Sequence, residues 1–263
     1  MCPPVVRAAL EKWSRGKIVR RSLGPDFGAR RIYATPEASL AWWLPWSGSS
    51  VDGDLLSFCR EFVHPGSIVW DFGGNVGLFT FLAAHAAGRD GQVVTLEPDP
   101  FLSHLIIRTE SERPPNCASC TVLTAAVGRT NGFATLEIPE RSRASNAVLG
   151  KSKSSQRGAV RFRFDVPLVT IDTLAEQYPG PEVLKIDVEG SELDALLGGE
   201  KTLSLHRPVI FMEVQNNQAA EIRDLLRGWD YALYDPCVPP ASRRDLEKLT
   251  YNTLAVPRAK IHG

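Results

Sequence analysis

The chain lacks any apolar run near the ~20 residues that a membrane-spanning helix needs, so no membrane role is expected of it. It lacks net charge. Its 30 Lys and Arg stand against 30 Asp and Glu, which argues against a nucleic-acid binder that relies on a global field, though not against a local basic patch. It is also poor in cysteine. The five present are an odd number at irregular spacing, which speaks for a reduced, cytoplasmic chain rather than a disulfide framework. Cys117 and Cys120 form a lone C-x-x-C without two further ligands at zinc spacing. Residues Met1 to Arg7 hold two prolines and no apolar h-region, so no secretory signal is expected. There is no G-x-G-x-x-G, no Asn/Asp-Pro-Pro-aromatic block and no internal repeat.

What the chain does have is 43% apolar residues over 263 positions, enough for the core of one α/β domain. The expected division is an N-terminal extension over 1–50 and one domain over 51–263. The domain is organised around Val69-Trp70-Asp71-Phe72-Gly73-Gly74-Asn75-Val76-Gly77. The run starts as a buried strand and passes into a helix from Leu78. Three glycines and an asparagine between them suit a sharp turn and close backbone approach to a ligand. The helix start then offers free N–H groups and partial positive charge. Glu97 ends the next strand, Gln92 to Leu96, where such folds hold a ribose diol. An acid at Asp71 would oppose a pyrophosphate but suits a cofactor with a cationic, amino-acid-like end. The spacing D-x-G-x-N-x-G with Glu97 therefore points to S-adenosylmethionine (SAM), against a NAD-linked oxidoreductase.

In chain order, a helix is expected over Ala8 to Trp13 and a strand over Arg30 to Thr35. Leu40-Ala41-Trp42-Trp43-Leu44-Pro45-Trp46 follows, readable as a packing segment or as an aromatic wall for substrate. Asp52 is a candidate cap for a helix reaching Phe62. Phe101 to Thr109 reads as a helix and Ser119 to Ala125 as strand three. Phe133 to Ile138 and Arg161 to Val166 alternate like the arms of a hairpin-like insertion. Arg141 to Gly158 between them is expected to be a mobile, basic loop, either merely solvated or attractive to an anionic acceptor. Asp172 stands near a helix cap. Val183 to Ile186 reads as a central strand carrying Asp187 and Glu189 to its carboxyl edge, and Pro208 to Val214 delivers Glu213 in the same way. Tyr231 to Tyr234 and Asn252 to Val256 close a sheet of about seven strands as an antiparallel pair.

Taken together, Asp71 to Gly77, Glu97-Pro98, Val169 to Leu174, Leu184-Lys185-Ile186-Asp187-Val188-Glu189-Gly190-Ser191-Glu192 and Phe211-Met212-Glu213 resemble the FkbM family of SAM-dependent O-methyltransferases. The resemblance runs from about Ser67 to Val256. It implies a class I, Rossmann-like α/β fold: a seven-stranded, mostly parallel sheet with helices on both faces. It also implies methylation of a hydroxyl on a sugar, polyketide or related natural product. Two departures stand out: the family usually has alanine where Gly74 stands, and it often carries an asparagine near Arg108-Thr109. The N-terminal 50 residues lie outside the resemblance, so the acceptor is unassigned.

A hydroxyl acceptor needs alignment behind the sulfonium methyl and help in losing its proton. Asp187, Glu189 and Glu213 are the candidate bases. As a cluster they would equally suit a divalent cation such as Mg²⁺, which would acidify the hydroxyl. Glu189 would alternatively serve as a helix cap. Gly73, Gly74, Asn75 and Gly77 are expected to approach the cofactor through backbone. Asp71 would position its methionine end, directly or through water, Glu97 would accept from the ribose, and Ala126 would lie along the adenine. His206 falls at the wrong end of its strand, and His85 and His104 lie on helices. The rival readings are a nucleic-acid methyltransferase on this fold and a non-catalytic SAM-fold module.

Overall fold

The structure is a computed structural model and describes residues 4–44, 53–140, 142–151 and 159–261. Helix α1 (Pro4–Trp13) precedes the antiparallel pair β1 (Val19–Ser22) and β2 (Arg31–Ala34). Helix α2 (Gly53–Phe62) leads into β3 (Ile68–Phe72), α3 (Leu78–Ala87), β4 (Gln92–Leu96), α4 (Pro100–Glu110) and β5 (Ser119–Leu123). Four strands then form a separate sheet: β6 (Ala126–Val127), β7 (Gly132–Pro139), β8 (Ala147–Val148) and β9 (Val160–Val169). The chain ends with α5 (Ile171–Ala175), β10 (Val183–Ile186), α6 (Glu192–Leu197), α7 (Glu200–His206), β11 (Val209–Glu213), α8 (Ala219–Gly228), β12 (Tyr231–Tyr234) and β13 (Asn252–Pro257).

The main sheet has seven strands in the order β12-β13-β11-β10-β3-β4-β5. The expectation of a mostly parallel sheet needs refining. Neighbours from β11 to β5 are parallel, but β13 runs antiparallel to both β11 and β12, which makes the sheet mixed. Strand order reverses between β3 and β10, the switch point where open α/β sheets leave a crevice beyond the strand ends. The run Ile-Val-Trp-Asp-Phe of β3 is apolar at consecutive positions because helices cover both its faces. Val69 joins one core with Phe79, Leu82, Leu102, Leu105 and Phe211, and Trp70 and Phe72 join the other with Leu184, Ile210, Leu196 and Leu226. Trp70 is fully buried and its indole N–H donates to the carbonyl of Pro179 at 3.1 Å.

The extension packs onto the first of these cores through Leu23, Phe27, Ile32 and Trp42. The backbone N–H of Tyr33 donates to Thr109 Oγ1 at 3.0 Å, so β2 is tied to α4. The expected hairpin-like insertion is larger than foreseen. Its arms pair antiparallel from Gly132–Leu168 to Pro139–Val160, and β6 and β8 widen it to four strands. Two-residue strands carry no periodicity to read. The expected mobile loop over Arg141 to Gly158 is ordered where it is described: 142–151 forms a 3-10 turn (Arg143–Ser145), then β8. The Ser142 hydroxyl donates to the Ala38 carbonyl at 2.8 Å, and the Arg143 N–H donates to the Glu37 carbonyl at 3.0 Å. The Asp52 cap and Trp46 fall outside the described residues. Asp172 does not cap its own helix. Thr170 does, and Asp172 instead accepts from the N–H (2.8 Å) and hydroxyl (2.7 Å) of Thr202 at the start of α7.

Candidate active site

The β3–α3 turn is held from behind by β4, since the N–H groups of Gly73 and Gly74 both donate to the Leu96 carbonyl, at 2.9 and 3.0 Å. Gly73 and Gly77 adopt φ of 83° and 89°, a region that suits residues without a Cβ. Asn75 also has a positive φ, 51°. The glycine at 74 has a local reason too: a Cβ there would stand 2.4 Å from Thr95 Oγ1.

Beneath this turn lies a polar row on an otherwise apolar sheet face. Register places Lys185 beside Asp71, and Asp71 beside Thr95. Asp71 is completely buried and lines neither cavity of the site. It accepts from the Thr80 hydroxyl at 2.6 Å and pairs with Lys185 Nζ at 3.4 Å. Lys185 Nζ also donates to the Gly73 carbonyl at 3.3 Å and to Asp187 Oδ2 at 3.2 Å. Burial alone would lower the lysine pKa. Asp187 first and then Asp71 outweigh it and raise the ammonium above the ordinary lysine range. Lys185 is therefore a fixed cation that joins β3 to β10 and holds the turn.

Glu97 is buried at the end of β4. Its carboxylate accepts from the Asn75 N–H at 2.7 Å and the Asp99 N–H at 2.9 Å. Burial is the largest influence and pushes its pKa up to about 8. The two N–H bonds oppose the rise and the nearby charge of Asp99 adds to it. Asp99 caps α4 through the Phe101 N–H, and accepts from Arg143 Nη1 at 2.5 Å and Asn146 Nδ2 at 2.8 Å. Arg143 pairs as well with Glu37, at 3.1 Å. Glu37, Arg143 and Asp99 thus join the extension, the insertion and the start of α4 around one end of the site.

Two cavities open above the turn. The first is lined by Gly73, Asn75, Glu97, Ala126, Asp187 and Glu189 among others. Arg143 and Asn146 form its far wall. The second is lined by Trp42, Leu55, Phe79, Lys185 and Glu213 among others. Gly73, Asn75, Ala144 and Asp187 line both, so the cavities meet at the carboxyl end of β10.

The three candidate carboxylates are spread over the two cavities. Asp187 stands between the cavities, Glu189 on the first and Glu213 on the second. Tyr251 donates its hydroxyl to Glu213 Oε2. Its pKa rises, first through burial, then through Glu213, with Glu189 and Asp187 adding to it. Glu189 has φ 51° and Gly190 φ 99°. Glu192 clamps this bend, accepting from the Gly190 N–H at 3.0 Å and the Val188 N–H at 3.3 Å. Burial pushes its carboxyl up to about 7. Among the described residues no three His, Cys, Asp or Glu side chains are grouped closely enough to hold a metal ion between them.

Gly77 caps α3 without lining either cavity. His206, His85 and His104 line neither, and Cys117 and Cys120 are buried free thiols. Sequence reasoning missed Lys185, Glu192, Arg143 and Tyr251 as working parts. A lysine inside the apolar strand Val-Leu-Lys-Ile was itself a signal, since a buried charge demands partners. No described helix is long and apolar enough to cross a membrane.

A hexuronic acid methyltransferase of Haloferax volcanii is 25% identical over 176 residues, and the match spans 66% of this chain and 66% of that protein. A crystal structure of an FkbM methyltransferase from Methylobacillus flagellatus is similar over 88% of this chain and 58% of that one, at 15% identity and a TM-score of 0.45. Magnesium protoporphyrin IX methyltransferase of Synechocystis, solved with bound SAM, is similar over 84% of this chain and 91% of that one, at 12% identity and a TM-score of 0.44. Residues 71–233, well over half of the chain, match the methyltransferase FkbM domain. That match runs from the acid beneath the glycine turn to the outermost strand β12, and the chain belongs to the FkbM family of SAM-dependent methyltransferases.

Proposed function

We propose that the protein is a SAM-dependent O-methyltransferase whose acceptor is a hydroxylated, anionic small molecule, a sugar acid in the first instance. The observation that carries this reading is the pair of cavities that meet at Asp187. The relative from Haloferax volcanii, which acts on a hexuronic acid, supports the acceptor class.

The first cavity suits SAM by its chemistry. Its walls carry bare backbone at Gly73, a buried carboxylate at Glu97, and the amide oxygens of Asn75 and Asn146, both buried without a partner. Buried amide oxygens of this kind call for a donor. In this reading Glu97 accepts from the ribose hydroxyls and Ala126 lies along the adenine. Gly73, Gly74 and Asn75 set the backbone path, and Gly77 fixes the helix start behind it. Asp71 acts at one remove, through Lys185 and Thr80. Bound SAM supplies a methyl on a sulfonium, a leaving group that needs no further activation.

The chain must then place the acceptor oxygen and take its proton. Asp187, at the junction, is the base, worth about 10²–10⁴-fold. Glu213, held by Tyr251, and Glu189, held on its bend by Glu192, shape the charge around it. Lys185 keeps Asp187 oriented and limits repulsion among the three carboxylates. Alignment of acceptor and methyl contributes a further several kcal/mol, on the order of 7 in good cases.

The reading is tested by titrating the protein with S-adenosylhomocysteine by calorimetry, with NAD as control, and then assaying transfer of labelled methyl from SAM to a panel of hexuronic acids. Micromolar binding of S-adenosylhomocysteine alone and base-stable label in the sugar are expected. Absence of both would overturn it. Label lost on mild alkali would show esterification of the carboxylate instead of ether formation.

A further inference from the structure

The tryptophan-rich segment divides its work. Trp42 is buried and belongs to the core. Trp13 of α1 and Trp43 stack on one another, ring centres 4.3 Å apart and planes 13° apart. Trp43 is fixed by its indole N–H donating to Ser14 Oγ at 2.9 Å. The Ser14 hydroxyl in turn donates to the Leu10 carbonyl at 2.7 Å, and Arg21 holds the carbonyls of Trp43 and Leu44 at 3.3 and 3.1 Å. Yet Trp13 is 59% exposed and Leu44 44%. A rigid indole pair with one broad side open to water is not core packing, because leaving apolar area in water costs about 25 cal/mol per Å².

This pair lies along a groove whose polar lining comes from Arg7, Glu11, Glu37, Ser39 and Ser142. The groove shares Ala38 and Ser39 with the cavity that holds Trp42, Lys185 and Glu213. It therefore adjoins the second cavity, which would hold the acceptor. Its chemistry is specific. A pyranose presents C–H groups on its faces and hydroxyls at its rim. The groove offers a flat aromatic side for the first, and for the second the hydroxyls of Ser39 and Ser142 and the mutually paired Arg7 and Glu11. Extension residues of this chain build the groove almost entirely, and they lie outside the 71–233 family match.

We propose that the groove is an oligosaccharide subsite: the acceptor is the end of a sugar chain, and the sugar units behind the reacting one stack on Trp13. The proposal rests on the sugar-acid reading above and adds the length of the substrate to it.

The test uses the full chain saturated with S-adenosylhomocysteine and two probes, galacturonic acid and tetragalacturonate, titrated by calorimetry. About tenfold tighter binding of the tetrasaccharide is expected. Trp13→Ala should abolish that gap, Trp13→Phe should keep part of it, and neither should change the affinity for S-adenosylhomocysteine or for galacturonic acid. Equal affinity for the two sugars, absent binding of both, or a length preference that survives in Trp13→Ala would overturn the subsite. Failure to bind S-adenosylhomocysteine would be a separate result, against the methyltransferase reading. A wild-type melting temperature for Trp13→Ala secures that the lost gap is not lost folding.

Discussion

A Cβ on residue 73 would stand 1.8 Å from the carbonyl oxygen of Asp187. The β3–α3 turn and the end of β10 are thus in backbone contact, and the glycine is required by its neighbour strand. Gly73→Ala meets this clash and an unfavourable φ of 83° together. It should cost at least about 2 kcal/mol of stability, since the left-handed region alone costs roughly 1–2 kcal/mol. Thermal unfolding and S-adenosylhomocysteine titration check this. Unchanged melting and binding would show that the turn can shift away from β10.

Asp187→Asn keeps the size of the side chain and an acceptor for Lys185. Binding of S-adenosylhomocysteine should persist while turnover falls by about 10²-fold or more. Equal turnover would remove Asp187 as the base and pass the role to Glu213 or Glu189.

Lys185→Met fills the same space but leaves Asp71 buried without its cation. Breaking a buried pair in this way costs about 3–5 kcal/mol. Urea unfolding should show a midpoint lowered accordingly. A loss under about 1 kcal/mol, small against that range, would mean that Thr80 alone satisfies Asp71.

Glu97 sets a pH dependence. Its carboxyl is raised in the fold, from the ordinary 4.5 to about 8, so the folded chain holds a proton there that the unfolded chain has lost. The stability tied to it is complete below pH 4.5 and drains away as pH rises toward 8, by up to about 1.4 kcal/mol per pH unit. Glu97→Gln keeps a neutral side chain throughout. The stability of the wild type relative to this variant should therefore fall between pH 5 and 8. A constant difference across that range would show that Glu97 is already ionised. Glu192, raised to about 7, adds a parallel decline over its own, narrower window.

Much of the main sheet was legible because its strands are apolar at consecutive positions, bounded by glycine or acid. The places of the glycine turn, Glu97, Asp187 and Glu213 at the carboxyl ends of strands were legible for the same reason, because their apolar runs stop there. What stayed hidden is chemistry assembled across long sequence distances. Tyr251 reaches Glu213, Arg143 reaches both Glu37 and Asp99, and neither has a local pattern. The insertion was half legible: its long arms alternate, but β6 and β8 are two residues each. Asp172 misled because a cap residue near a helix start looks the same whether it serves that helix or another. The Trp-rich segment admitted two readings, packing and substrate wall. The structure gives Trp42 to the core and leaves Trp13 on Trp43 with an open side.

The strand order carries a consequence for the chain as it is made. β3 pairs with β4 soon after both emerge, but its other neighbour, β10, lies roughly 110 residues further on. At about 5–20 residues per second, a ribosome leaves that edge of β3 unpaired for roughly 5–20 s. During that time Val69, Trp70 and Phe72 border an open row of N–H and C=O groups, the arrangement most prone to pairing with another nascent chain. The extension is complete well before then, and with α3 and α4 it can cover one face of the half-built sheet. The extension would therefore shelter the apolar face of the newborn strand while its edge waits for a partner.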